Sequence, residues 1–174
     1  INVTPQSSGF GAHVTGLDLR RPERPPAAFV EVDFADAASI DAAVAAIDGP
    51  VHALFNVAGV SSGIGNPLLV VTVNFLGMRH FTEALLPQMP AGSAIANVSS
   101  LAAANYLANR SVTAGLLATH SMSEGISWCA GHPEALADGG YRLSKEAIIL
   151  YGMTRALDLG ERGIRINCTG PGVT

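Results

Sequence analysis

Apolar and polar positions divide the chain into short strands and longer helices. Val51-His52-Ala53-Leu54-Phe55 and residues 93–100 are nearly continuous apolar runs of strand length, as in parallel strands buried on both faces. Residues 36–48 are alanine-rich with a helical apolar period, so they read as an amphipathic helix. Residues 68–89 form a long apolar-faced helix, and 141 to about 160 another. Shorter strands are expected at 1–4, 12–18, 28–33 and 163–168. The proline-rich stretch 19–26 cannot be helix interior, and 61–67 reads as a loop. Between 101 and 140 the pattern weakens to a helix-like segment at 114–121 and a turn at Gly131-His132-Pro133.

Length and composition narrow the class. The 174 residues suggest one domain with a substantial core, and 48% hydrophobic against 14% charged residues fits that. No apolar run is long enough for a membrane span and no basic segment precedes an apolar one, so a cytoplasmic protein without a membrane partner is expected. A net charge of −4 with scattered Lys and Arg argues against nucleic acid as a partner. Cys129 and Cys168 have no metal-type spacing, and Cys168 falls in an apolar strand and reads as a small buried hydrophobe. His120, Cys129 and His132 match no common metal site, and no metal is expected.

Candidate chemistry sits at Tyr141-Arg142-Leu143-Ser144-Lys145. On a helix, Tyr141 and Lys145 share one face, which brings an ammonium near a phenol. A free phenol ionises at about pH 10, and a neighbouring cation favours the phenolate, so such a pair can exchange a proton with an alcohol. The bland alternative is a half-buried Tyr beside a solvated Lys. The pair resembles the Tyr-x-x-x-Lys signature of the short-chain dehydrogenases/reductases, which move hydride between an alcohol or carbonyl and a nicotinamide cofactor.

Further stretches follow the order of that family's motifs. Thr4-Pro5-Gln6-Ser7-Ser8-Gly9-Phe10-Gly11 resembles its glycine-rich phosphate loop, with Thr4, Gly9 and Gly11 matching and Pro5 where the first glycine belongs. Such a turn lets backbone N–H groups approach a pyrophosphate. Asp18, closing the second strand, is placed to bind the ribose hydroxyls of NAD. Asp33-Phe34 matches the pair that flanks the adenine, although a strand-end Asp that caps the next segment reads equally well. Asn56-Val57-Ala58-Gly59 resembles the family's Asn-Asn-Ala-Gly turn, with Val57 replacing the second Asn. Asn74 matches the helix Asn that holds a water in the proton relay; without the resemblance it reads as a surface residue. Ser99-Ser100 ends a strand as the family's catalytic serine pair does, with Ser100 taking the role and Ser99 as the fallback. Pro171-Gly172, in Thr169-Gly170-Pro171-Gly172, matches the turn beside the nicotinamide.

The resemblance implies a doubly wound α/β fold of Rossmann type, a parallel sheet with helices on both faces. It implies hydride transfer between NAD(H) and a secondary alcohol or ketone, with hydroxysteroids as one substrate class. Tyr141 would be the general acid/base, Lys145 would lower its pKa and hold the nicotinamide ribose, Ser100 would orient the carbonyl, and Asn74 would anchor the relay. Cofactor contacts are carried to Thr4, Ser8, Gly9, Gly11, Asp18, Asp33, Phe34, Asn56, Ala58, Gly59, Tyr141, Lys145, Pro171, Gly172, Val173 and Thr174. A homodimer or homotetramer is implied through helices 68–89 and 141–160.

Two departures concern length. Asp18 follows Gly11 by seven residues (18 − 11), where a dinucleotide fold has roughly 20. The reading preferred is that a crossover helix is missing from this sequence rather than deleted, because a deletion would leave strands one and two unable to pair in parallel. The chain likewise stops at Thr174, before the family's substrate-covering segment. The separation of 41 positions from Ser100 to Tyr141 (141 − 100) far exceeds the usual spacing and marks 101–140 as an insertion, which resembles that of the bacterial 3α-hydroxysteroid dehydrogenase/carbonyl reductase branch. A non-catalytic nucleotide-binding sensor, motivated by Pro5 and Val57, and a scaffold that binds no nucleotide remain as alternatives.

Overall fold

The computed structural model describes residues 11–24, 26 and 28–172. Among the described residues there are five short strands, with helices in every connection from the second strand onward. Strands β1 (Thr15–Asp18) and β2 (Ala28–Glu31) pair in parallel, with Thr15 opposite Ala28 and Asp18 opposite Glu31. Strands β3 (Ala53–Asn56), β4 (Ala94–Val98) and β5 (Arg165–Thr169) form a second parallel ladder in that order. Leu54, Ile95 and Ile166 lie side by side across it, as do Asn56, Asn97 and Cys168. The expected first strand at 1–4 lies outside the described residues.

Both steps within the second ladder, β3 to β4 and β4 to β5, cross over through helices, and one more helix joins β2 to β3. Helix α1 (Ala37–Ala45) starts where the Asp36 side chain accepts the Ala38 N–H, and buries Ile40, Ala43 and Val44. Helix α6 (Tyr141–Glu161) runs back to β5 and buries Leu143, Ala147, Ile148, Tyr151 and Leu159. These side chains join Phe75, Leu76, Phe81, Leu85 and Ile95 in one core. The result is an α/β fold of Rossmann type, parallel strands flanked by helices. The other face of the second ladder, carrying Ala53, Phe55, Arg165 and Asn167, is exposed among the described residues, with Phe55 at 69%. Among them, too, no helix is long and apolar enough to cross a membrane.

Three expectations are corrected. The single helix expected over 68–89 is broken into α2 (Pro67–Val71), a π-helical turn (Thr72–Gly77), α3 (Met78–Leu85) and a 3-10 turn at Leu86–Gln88. Polar side chains drive the break: Thr72 Oγ1 donates back to the Leu68 carbonyl, and Asn74 is drawn into hydrogen bonds with Val60. In the insertion, the helix-like segment at 114–121 is displaced. Helix α4 covers Arg110–Leu117, and α5 covers Met122–Gly131. The break follows a Ser-x-x-Glu cap, in which Ser121 Oγ accepts the Glu124 N–H and the Glu124 carboxylate accepts the His120 N–H. Leu116, Met122, Cys129 and Leu136 enter the main core, so the insertion is integral to it. Cys168 is exposed rather than buried, because it lies at the open carboxyl end of β5.

Close backbone packing fixes the π-helical turn against the loop after β2. A side chain at Gly77 would fall on the Phe34 carbonyl oxygen, while the Phe34 ring meets Phe81 edge-on at 5.6 Å. Gly77→Ala therefore forces these backbones apart, and unfolding in urea is expected to show a loss of about 1–3 kcal/mol. An unchanged midpoint would remove this packing constraint.

Candidate active site

Apart from Gly11, every expected site residue among those described falls at or beyond the carboxyl end of a strand or on the helices facing those ends. Asp18 ends β1, Asp33 and Phe34 follow β2, Asn56 to Gly59 leave β3, Ser100 follows β4, and Pro171 and Gly172 follow β5. Ligands of open α/β sheets bind at such ends. Gly11 sits in a turn with φ of 73°, whereas Thr4, Ser8, Gly9, Val173 and Thr174 lie outside the described residues.

The densest contacts join β4 to the first turn of α6. Lys145 is only 6% exposed, and its Nζ donates to the Val98 carbonyl at 2.9 Å. In return Ser99 Oγ donates to the Lys145 carbonyl at 2.7 Å. These two bonds set the ammonium 5.6 Å from the centre of the Tyr141 ring. Ser99 is thereby committed to structure. Ser100 is half-buried, and its Oγ accepts the Ala102 N–H, which starts a 3-10 turn at Leu101–Ala103. The turn after β5 lies alongside, since the Leu101 N–H donates to the Pro171 carbonyl and the Ser99 N–H to the Thr169 carbonyl.

Asn74 is 1% exposed, contrary to a surface reading of its type. Its Oδ1 accepts the Val60 N–H at 2.7 Å, and its Nδ2 donates to the Val60 carbonyl at 2.9 Å and to Ser144 Oγ at 3.2 Å. Ser144 Oγ in turn donates a hydrogen bond to the Tyr141 carbonyl. One side chain thus ties the turn after β3 to the first turn of α6. A side chain at Gly59 would begin 3.0 Å from Asn74 Oδ1 and 3.8 Å from Lys145 Nζ, so any larger residue here would press on the Asn74 amide.

Other expected residues hold the frame. Asn56 Nδ2 donates to Thr82 Oγ1 and Asn97 Oδ1, which secures β3 against β4 and α3. Asp33 Oδ1 accepts the Ala35 N–H, the capping role that its position also suggested. Asp18 stays exposed, with Oδ1 accepting the Arg20 N–H at 3.4 Å. Sequence reasoning missed Ser144 and the buried Glu146. The helical spacing of Asp138, Arg142 and Glu146 marks an ion-paired face but carries no sign that the face is covered.

A model of the short chain dehydrogenase family matches residues 10–115. Coniferyl-alcohol dehydrogenase of Pseudomonas sp. strain HR199 is 34% identical over 184 residues, covering 99% of this chain and 71% of that protein. The chain belongs to the short-chain dehydrogenases/reductases. The 3-alpha-hydroxysteroid dehydrogenase of Pseudomonas sp. B-0831, solved with NADH, superposes with a TM-score of 0.77 at 25% identity, over 96% of this chain and 65% of that one. An NADPH-bound carbonyl reductase from chicken fatty liver shares the fold at 20% identity, with a TM-score of 0.56 over 82% of this chain and 56% of that one.

In this short-chain dehydrogenase/reductase, burial pushes the Lys145 ammonium below the ordinary lysine value, with the nearby Cys168 thiol opposing. The folded state then binds that proton less tightly than the unfolded chain does. The resulting cost to stability is full below the lowered folded value and is relieved as pH rises from there toward about 10.4. Comparison of the wild type with Lys145→Met by urea unfolding should therefore shift in favour of the wild type as pH rises toward about 10. A difference independent of pH would contradict the burial.

Proposed function

We propose that the protein transfers hydride between NAD(H) and an alcohol or ketone. The observation that carries this is the buried Lys145 ammonium, held 5.6 Å from the centre of the Tyr141 ring and bonded at the strand end that precedes Ser100. Tyr141 is half-exposed at the first position of α6, where its phenol can give a proton to a carbonyl oxygen or take one from an alcohol. Ser100 orients that oxygen. Lys145 spends one N–H on Val98 and keeps two for the ribose hydroxyls of the cofactor.

The residues fit a dinucleotide. Asp18 offers an exposed carboxylate to ribose hydroxyls, and the exposed Ala58–Gly59 turn lets a ligand reach the backbone next to Lys145. The bound nicotinamide supplies or accepts the hydride, and the chain's own work is position and proton transfer. Exposed Leu101 and Leu107, just beyond Ser100, support a bulky apolar substrate. The names of two relatives, one acting on coniferyl alcohol and one on hydroxysteroids, point the same way.

Tyr141→Phe is expected to cut turnover by roughly 10²-fold or more while an NADH fluorescence titration stays unchanged. Turnover near the wild-type rate would sink the acid/base assignment. A preference for NAD over NADP follows from Asp18, which repels a 2′-phosphate, and from Arg21, whose guanidinium lies over the Phe29 ring at 5.6 Å. Asp18→Asn should narrow the ratio of NADPH to NADH dissociation constants by roughly tenfold. Tighter binding of NADPH than of NADH by the wild type would refute the preference.

A further inference from the structure

Glu146 is completely buried, directly follows Lys145, and has no part in the proton transfer just described. Its Oε1 accepts a 2.6 Å hydrogen bond from Asn109 Nδ2, and its Oε2 is approached by Arg142 at 3.1 Å and Thr113 Oγ1 at 3.5 Å. Asn109 and Thr113 belong to the start of α4 in the insertion, and Asp138, which closes the insertion, holds Arg142 Nε at 2.6 Å. A carboxylate without exposure persists only with such partners.

Both ends of α4 are held this way. At its other end Arg79, 6% exposed, donates to the Thr119 carbonyl at 2.8 Å, to Thr119 Oγ1 and to the Ser121 carbonyl. The negative charge thus meets the amino end of α4 and the positive charge its carboxyl end, matching the helix dipole. Consecutive residues on α6 point about 100° apart, so Lys145 and Glu146 look to different sides. Lys145 is bonded to β4, and Glu146 is bonded to the insertion.

We propose that Glu146 is a positioning residue: together with Asn109 and Arg142 it makes the insertion a brace that fixes the rotation of α6, and with it the Tyr141–Lys145 pair. This inference rests on the activity proposed above. Loss of the brace lets α6 turn about its axis, which misplaces Tyr141 and Lys145 without removing any group that touches cofactor or substrate. Small misplacements of reacting groups carry large rate penalties.

The test compares kcat and KM for Asn109→Ala, Glu146→Ala and Glu146→Gln with the wild type in the full-length protein. The cofactor dissociation constant is measured alongside by NADH fluorescence. Asn109→Ala and Glu146→Ala are expected to lower kcat by roughly 10-fold to 100-fold and to weaken NADH binding by the smaller factor of about fivefold or less, because Lys145 moves with Tyr141 but keeps its charge. Glu146→Gln keeps an acceptor for Asn109 and is expected to restore most of the rate. An unchanged kcat in Asn109→Ala overturns the proposal, and so does a Gln variant as slow as the Ala one. Should Glu146→Ala fail to fold, the half-buried Asn109 and the Gln variant carry the comparison. Should the wild type itself bind NADH without turning over alcohols or ketones, the activity reading fails and hydrogen exchange then decides the brace. Faster exchange at residues 141–146 in Asn109→Ala supports it, and unchanged exchange overturns it.

Discussion

An ammonium removed from water has to find partners, and much of the site follows from where Lys145 finds them. Its bond to the Val98 carbonyl can form only if α6 begins beside the end of β4, and the return bond from Ser99 locks that placement. Ser100 then emerges at the strand end, and Tyr141 stands one helical turn before the lysine. Asn74 extends the same logic to a third element by bonding Val60 and Ser144 together. Three segments distant in sequence are thus held by a few side-chain to backbone bonds in a region of low solvent access, where such bonds are strong and leaving them unmade is costly.

The architecture was readable where periodicity carried it. Apolar runs marked β3, β4 and α1 because both faces of a parallel strand, or one stripe of a helix, must leave water. The reading failed where polar side chains overrule the period. Nothing in the apolar pattern of 68–89 separates a straight helix from one opened by Thr72 and Asn74, since the cause lies in Val60, fourteen residues earlier. The split of 101–140 into two helices was legible at Ser121 and Glu124, whose spacing encodes a helix start. Cys168 was misjudged because composition identifies a strand but not whether its end lies under a helix or at an open edge.

The site divides along similar lines. Ser100, Tyr141 and Lys145 stood out because they match the family's motifs in the family's order along the chain, and the fold brings the end of β4 beside the first turn of α6. Glu146 could not be weighed in the same way. Its importance comes from complete burial, and a Lys-Glu pair on a helix looks like a solvated surface until the insertion is seen to cover the acid. Asn56 and Asp33 show the reverse, since both stand at expected positions and both spend their side chains on the frame.

The π-helical turn also makes the length of this segment part of its design. Between Pro67 and Leu85 the chain carries more residues than regular α-helical winding over the same rise would hold. Removing one residue from Thr72–Gly77 would be absorbed as the wide turn rewinds to regular α-helix, whereas removing one from the regular winding of α3 would rotate everything beyond it by about 100°. After a deletion in α3 ahead of Phe81, Asn74 could keep its hold on Val60 only if Phe81 lost Phe34, or the reverse. Substitutions along this helix can be absorbed one side chain at a time, and a lost residue in the π-helical turn by rewinding, but a single deletion between that turn and Phe81 would uncouple the site from the core in one step.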